Sequence, residues 1–131
     1  FSSPVNIHSK HWVLFIAMDA RLMSVDEISN IANWALDQGA VYVCVWGPDC
    51  EQVHDIIDEV LVDRNPDPTD EDVIMTTWHD DETLEEALWF AVNSAFPAGA
   101  YTETCKTLVA VAVGSEDWGS EIAKKLSGSV I

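Results

Sequence analysis

The sequence predicts one α/β domain spanning residues 1–131: a three-layer αβα sandwich around a four-stranded, mainly parallel sheet. Three observations carry this. Four short apolar runs read as strands covered on both faces. Each run is followed by a segment of helical periodicity, and that alternation produces crossover units and a parallel sheet. The length of 131 residues suits a single domain. A domain of that size buries roughly two thirds of the surface its unfolded chain exposes, so it needs neither disulfides nor metal to fold.

His11-Trp12-Val13-Leu14-Phe15-Ile16-Ala17-Met18 reads as the first strand. Ser24-Val25-Asp26-Glu27 then forms a capping box, in which serine and glutamate satisfy each other's free amides. The helix it opens carries Ile28, Ile31, Ala32 and Ala35 on one face and stops at Gly39. Val41–Trp46 is the second strand. Asp49 is expected to cap the following helix, with Val53, Ile56, Ile57, Val60 and Leu61 at helical spacing. Val73–Trp78 is the third strand. Asp80 or Asp81 is expected to cap a helix that runs to Phe96 with Leu84, Ala87, Leu88 and Ala91 on its buried face. Thr107–Val113 is the fourth strand. Ser115 or Asp117 caps a last helix with Ile122 and Leu126, and Lys124 and Lys125 are placed in its final turn, where the helix dipole favours cations. The expected strand order is 2-1-3-4, a reduced flavodoxin-like or Rossmann-like arrangement. The irregular segments 64–72 and 96–104 fall at the opposite, helix-to-strand edge.

Charge narrows the function. Six Lys and Arg against 23 Asp and Glu give a net charge of −17, where small soluble domains more often carry a magnitude of about 2–8. That field repels phosphate backbones and anionic lipid, so direct nucleic-acid and membrane binding are not expected. It favours a basic protein partner, metal ions or plain solubility. Cys44, Cys50 and Cys105 are an odd number with no metal-type spacing, which points to reduced thiols and a cytoplasmic setting. No apolar run approaches a membrane span, and no signal-peptide pattern is present. The chain opens on Phe1, so a trimmed or partly ordered chain is expected.

Ligands of open parallel sheets sit beyond the carboxyl ends of the strands. The sequence places Asp19 and Arg21, then Trp46, Asp49 and Cys50, then Trp78, His79, Asp80, Asp81 and Glu82, then Ser115, Glu116 and Asp117 at that edge. There is no glycine-rich phosphate loop. Asp19 and Asp80 are candidate metal ligands, as hard oxygen donors suited to Mg²⁺ or Mn²⁺. His79 and Asp81 are the candidate catalytic groups, since a histidine beside acids can trade protons or bind metal. Trp46, Trp78, His79, Asp80 and Arg21 are the candidate binding residues. Helix capping explains much of this acidity without any ligand. Cys50, in the first turn of a helix with His54 one turn on, could form an activated thiol, but Asp49 and Glu51 oppose its ionisation and its position on the Val53–Ile57 face favours burial. His8 and His11 carry no pattern.

The helix of residues 82–96 is apolar nearly all round, with Trp89, Phe90 and Val92 added to its core positions. One sheet cannot cover all of its faces, so a contact with another chain, including a homodimer, is expected through it. The segment Thr76-Thr77-Trp78-His79-Asp80-Asp81-Glu82-Thr83-Leu84-Glu85-Glu86-Ala87-Leu88-Trp89-Phe90, with Trp46-Gly47-Pro48 before it, resembles a family of small bacterial α/β proteins of unassigned function. That resemblance implies a bacterial cytoplasmic protein of this fold, and implies no activity, cofactor or catalytic residue. The expected function is a non-enzymatic protein-binding, accessory or immunity-type module with no cofactor. The alternative is a Mg²⁺- or Mn²⁺-dependent hydrolase or phosphotransfer enzyme using the carboxylate and histidine groups above.

Overall fold

The computed structural model describes residues 9–129, so His8 lies outside the described residues. The strands are β1 (His11–Ala17), β2 (Ala40–Trp46), β3 (Met75–Trp78) and β4 (Cys105–Ala112). The helices are α1 (Val25–Gln38), α2 (Cys50–Arg64), α3 (Leu84–Asn93) and α4 (Glu116–Ser129), with short 3-10 turns at Ala20–Leu22 and Gly99–Tyr101. All strand pairings are parallel.

The strand order is 3-2-1-4, which corrects the expected 2-1-3-4. β1, β2 and β3 step outward in one direction, and β4 then returns to the free side of β1. The composition of β3 is compatible with its place. Met-Thr-Thr-Trp is short and half polar, and its two end residues are exposed while the two threonines are half-buried. Such a strand suits an edge, where fewer apolar neighbours are available. The preceding Val73-Ile74 contributes to a loop instead of lengthening the strand.

Apolar side chains divide by the two-residue period of the strands. Leu14, Ile16, Met18, Val43 and Val45 pack under α1 and α2 with Ile28, Ile31, Val53 and Ile57. Val13, Phe15, Ala17, Tyr42 and Cys44 pack under α3 with Leu84, Leu88 and Ala91, and under α4 through Ile122. β1 is buried on both faces, with Trp12 through Met18 at most 7% exposed.

The helix starts follow the sequence in part. Ser24 and Glu27 close their capping box on α1, and Gly39 ends it in the left-handed region at φ 109°. On α3 the cap is Thr83 with Glu86, a second reciprocal box, so neither Asp80 nor Asp81 caps it. Asp49 precedes α2 at φ 57° and its side chain makes no cap bond, because that left-handed backbone turns the carboxylate away from the free amides. Ser115 Oγ accepts from Trp118 N at 3.3 Å on α4. That helix continues to Ser129, so Lys124 and Lys125 precede its last turn, and Lys125 reaches across to Glu85 of α3 at 3.1 Å.

The β2–α2 turn is built on Gly47. At φ 129° it sits against the Met18 backbone, and a Cβ there would run into the Met18 carbonyl oxygen. Gly114 also has positive φ, at 81°, but a Cβ there would meet open space. Gly47→Ala should cost about 3 kcal/mol or more and Gly114→Ala about 1 kcal/mol, the difference coming from that clash. Urea unfolding of the two variants checks the ordering.

Candidate functional site

The strand order reverses between β1 and β4, so the crevice of this sheet opens beside Asp19. Asp19 caps the turn Ala20–Leu22 and is held by Arg21. One carboxylate oxygen accepts from Arg21 N at 3.0 Å and Nε at 2.9 Å, and the other from Nη2 at 2.7 Å. The guanidinium keeps the Asp19 carboxyl below its usual range. Arg21 therefore occupies the oxygens that would otherwise face a cation.

Trp46 ends β2 at the same edge. Its indole N–H donates to Glu82 O at 2.8 Å, and its ring meets Trp118 edge-on, with centroids 5.1 Å apart at 80°. Both tryptophans pack against the core on the α3–α4 face. Trp78 lies elsewhere. It is 39% exposed and its ring lies against His54 of α2 at 4.5 Å.

His79 is 5% exposed, a buried polar residue. Its Nδ1 lies 3.0 Å from Glu82 Oε2 and its Nε2 lies 2.9 Å from Thr77 Oγ1. Its ring lies against Phe90 at 4.8 Å, and its backbone N–H extends the ladder to Val45 O at 2.9 Å. Both ring nitrogens are engaged, so His79 fastens the end of β3 to the start of α3. Asp80 and Asp81 are exposed, and Asp81 makes the turn at φ 57°. Among the described residues, no group of three or more His, Cys, Asp or Glu side chains is placed to hold a metal ion.

The three cysteines are free thiols. Cys44 and Cys50 are buried and Cys105 is half-buried. Burial pushes the Cys44 thiol up to about 12, and pushes Cys50 and Cys105 up as well. His54 faces Asp55 at 3.2 Å and Asp58 at 3.3 Å. Its ring nitrogens are thus engaged by carboxylates of its own helix. In native protein at pH 8, a thiol reagent should leave Cys44 unmodified while titrating all three thiols in denaturant, read by mass spectrometry of the labelled chain.

Two features carry little or no signal in local sequence or lie away from the expected carboxyl edge. The first is a half-open cavity of about 520 Å³ at the amino edge of the sheet. The irregular segments 64–72 and 96–104 meet there: Tyr101 OH donates to Asp72 O at 2.9 Å, and Ala100 N donates to Glu71 O at 2.8 Å. His11, Leu61, Arg64, Pro68, Ile74 and Tyr101 are among its walls. Arg64 itself is tied to Asn33 at 2.9 Å and Asp37 at 2.7 Å. His11 lies 4.8 Å from the Tyr101 ring, with Nδ1 2.6 Å from Thr104 Oγ1. Its one sequence signal is a pair of Pro-bearing loops at one edge. Whether they enclose space depends on how they dock.

Burial, and then the Lys10 ammonium, lower the His11 pKa from its ordinary 6.5. Below that value the unfolded chain takes up a proton that the folded imidazole resists. This group's share of stability is therefore full above 6.5 and falls as pH drops toward the folded value. His11→Gln should flatten that limb when urea midpoints of the two proteins are subtracted across pH 5–7.

The second feature is the outer face of α3. Trp89 is 62% exposed, Val92 44%, and Phe96, just beyond the helix, 75%. Glu85 and Glu86 stand at its amino end.

These observations define a four-stranded parallel α/β domain with a carboxyl edge closed by its own contacts and an aromatic helix face left open. The chain belongs to the family described as a domain of unknown function, DUF7684, whose family model matches residues 2–129. The resemblance to a family of unassigned function holds on that ground. No curated protein and no solved structure matches this chain. No helix among the described residues is long and apolar enough to cross a membrane.

Proposed function

We propose that this domain is a non-enzymatic protein-binding module that docks a basic partner on the outer face of α3. The observation that carries the reading is the exposure of Trp89, Val92 and Phe96 along one short stretch. A large aromatic side chain buries about 150–250 Å² on contact, and tryptophan is enriched among residues that dominate binding energy. The net charge of −17 supplies the second half of the argument. It raises the encounter rate with a basic surface and discourages acidic ones. Glu85 and Glu86 begin the same helix and place acidic groups beside the aromatic face, which suits a basic partner. The carboxyl edge supports the same reading. Asp19 is occupied by Arg21, and His79 by Thr77 and Glu82, which leaves neither of them as a base poised over an open crevice.

The test is a photo-crosslinking residue at Val92 in cells, followed by calorimetry with the captured protein once purified. Trp89→Ala with Phe96→Ala should weaken that binding by about 30-fold or more, equivalent to roughly 2 kcal/mol. Thermal stability should be nearly unchanged, since both side chains are exposed. Added salt should weaken binding to a basic partner. An affinity that ignores the double substitution sinks the proposal.

A further inference from the structure

Among the described residues the strand order leaves β4 with one open side, blunted at its start alone, by Lys106 and a register irregularity between Cys105 and Thr107. Cys-Lys-Thr-Leu-Val-Ala-Val-Ala spans eight residues with no proline and one charge, Lys106. Natural edge strands are commonly short, charged, bulged or covered, because their free backbone groups recruit other strands. β3, at the other edge, is four residues long. Val113 N donates to Ala17 O at 2.8 Å, so the amides and carbonyls of the odd-numbered residues 107–113 face β1. Those of Leu108, Ala110 and Ala112 then point to the open side. The side chains from Leu108 to Val113 are all only partly buried, on both faces of the sheet.

We infer that β4 pairs antiparallel with β4 of a second copy, around a two-fold axis near Ala110, joining two sheets into one of eight strands. Charge complementarity selects a second copy as the occupant. The strand begins at a basic end, with exposed Lys106 and nearby Lys10, and leads into an acidic one, with exposed Glu116 and Asp117 in the first turn of α4. The register of β4 against β1 shifts between Cys105 and Thr107, so Lys106 stands at an irregularity between Cys105, which packs on the α3–α4 face, and the regular stretch from Thr107 on; α4 lies in the α3–α4 layer. A two-fold axis perpendicular to the sheet keeps each layer on its own side. Antiparallel pairing centred on Ala110 brings the basic start of one strand, at Lys106, to the end of the other, where Gly114 leads into Glu116 and Asp117. Among the described residues Lys106 makes no ion pair within its own chain. Residues 104–114 hold no acid, so self-association through this strand meets little repulsion even in a chain of net charge −17. The pairing leaves the aromatic face of α3 free for another partner.

The experiment is sedimentation equilibrium of the full chain and of two charge variants. Wild-type protein should be a dimer in the micromolar range. Lys106→Glu alone should weaken dimerisation by about tenfold or more, and so should Glu116→Lys with Asp117→Lys, because each puts like charges together twice. An equimolar mixture of the two variants should regain wild-type affinity, since the heterodimer restores opposite charges. Circular dichroism of each variant should match wild type, as all three positions are exposed. A wild-type monomer at these concentrations overturns the inference. A dimer that no variant weakens, or variants that the mixture does not rescue, overturns it equally.

Discussion

Everything in this fold hangs on β1. It is hydrogen-bonded to β2 on one side and β4 on the other, and it is covered by helices on both faces. Its alternate residues therefore belong to two separate cores: Leu14 and Ile16 to one, Val13 and Phe15 to the other. Burying a large aliphatic or aromatic side chain stabilises by about 1.5–3 kcal/mol, so a strand with no exposed face concentrates that energy along its whole length. The same position makes the strand a ruler. Both loops at its carboxyl end are fixed to each other through the backbone, by Met18 N to Trp46 O at 3.0 Å and Ala20 N to Pro48 O at 3.1 Å. The close approach of Gly47 to Met18 follows from those bonds.

Because the crevice end of β1 is so tightly fastened, the polar residues around it are occupied by one another. Asp19 closes on Arg21, Trp46 on Glu82 and Trp118, and His79 on Thr77 and Glu82. A buried imidazole must satisfy both nitrogens or bear the cost of an orphaned polar group. His79 does so with its own strand and the segment leading into α3, which is why it can sit 5% exposed against the Phe90 ring. Among the described residues, what remains open lies elsewhere: on the outer face of α3, along the free side of β4, and in the loop-walled cavity at the amino edge.

Much of the chemistry of this chain is legible in local sequence. The four apolar runs are the four strands, and the capping box at Ser24–Glu27 forms as its spacing predicts, because a cap depends on residues three apart. The exposed aromatic side of α3 is legible too, since too many apolar residues on one helix must leave some uncovered. Capping by Asp49, Asp80 or Asp81 is not realised, for a local reason. Asp49 and Asp81 both adopt positive φ, and a backbone turned that way no longer aims its carboxylate at the first helical amides. Asp80 lies one residue further from α3, whose first amides are already satisfied by Thr83.

By itself the sequence determined which segments become strands and helices, which side chains are apolar enough to be buried, and the net charge of −17. Those are properties of composition and of spacing within a few residues. Only the tertiary structure decided that β3 lies outside β2, that β4 returns beside β1, and that His79 is sealed rather than open. Each of these depends on which distant segments meet. A parallel crossover can land on either side of β1 with the same local sequence, and the choice is made by the packing of α1–α4 over the finished sheet.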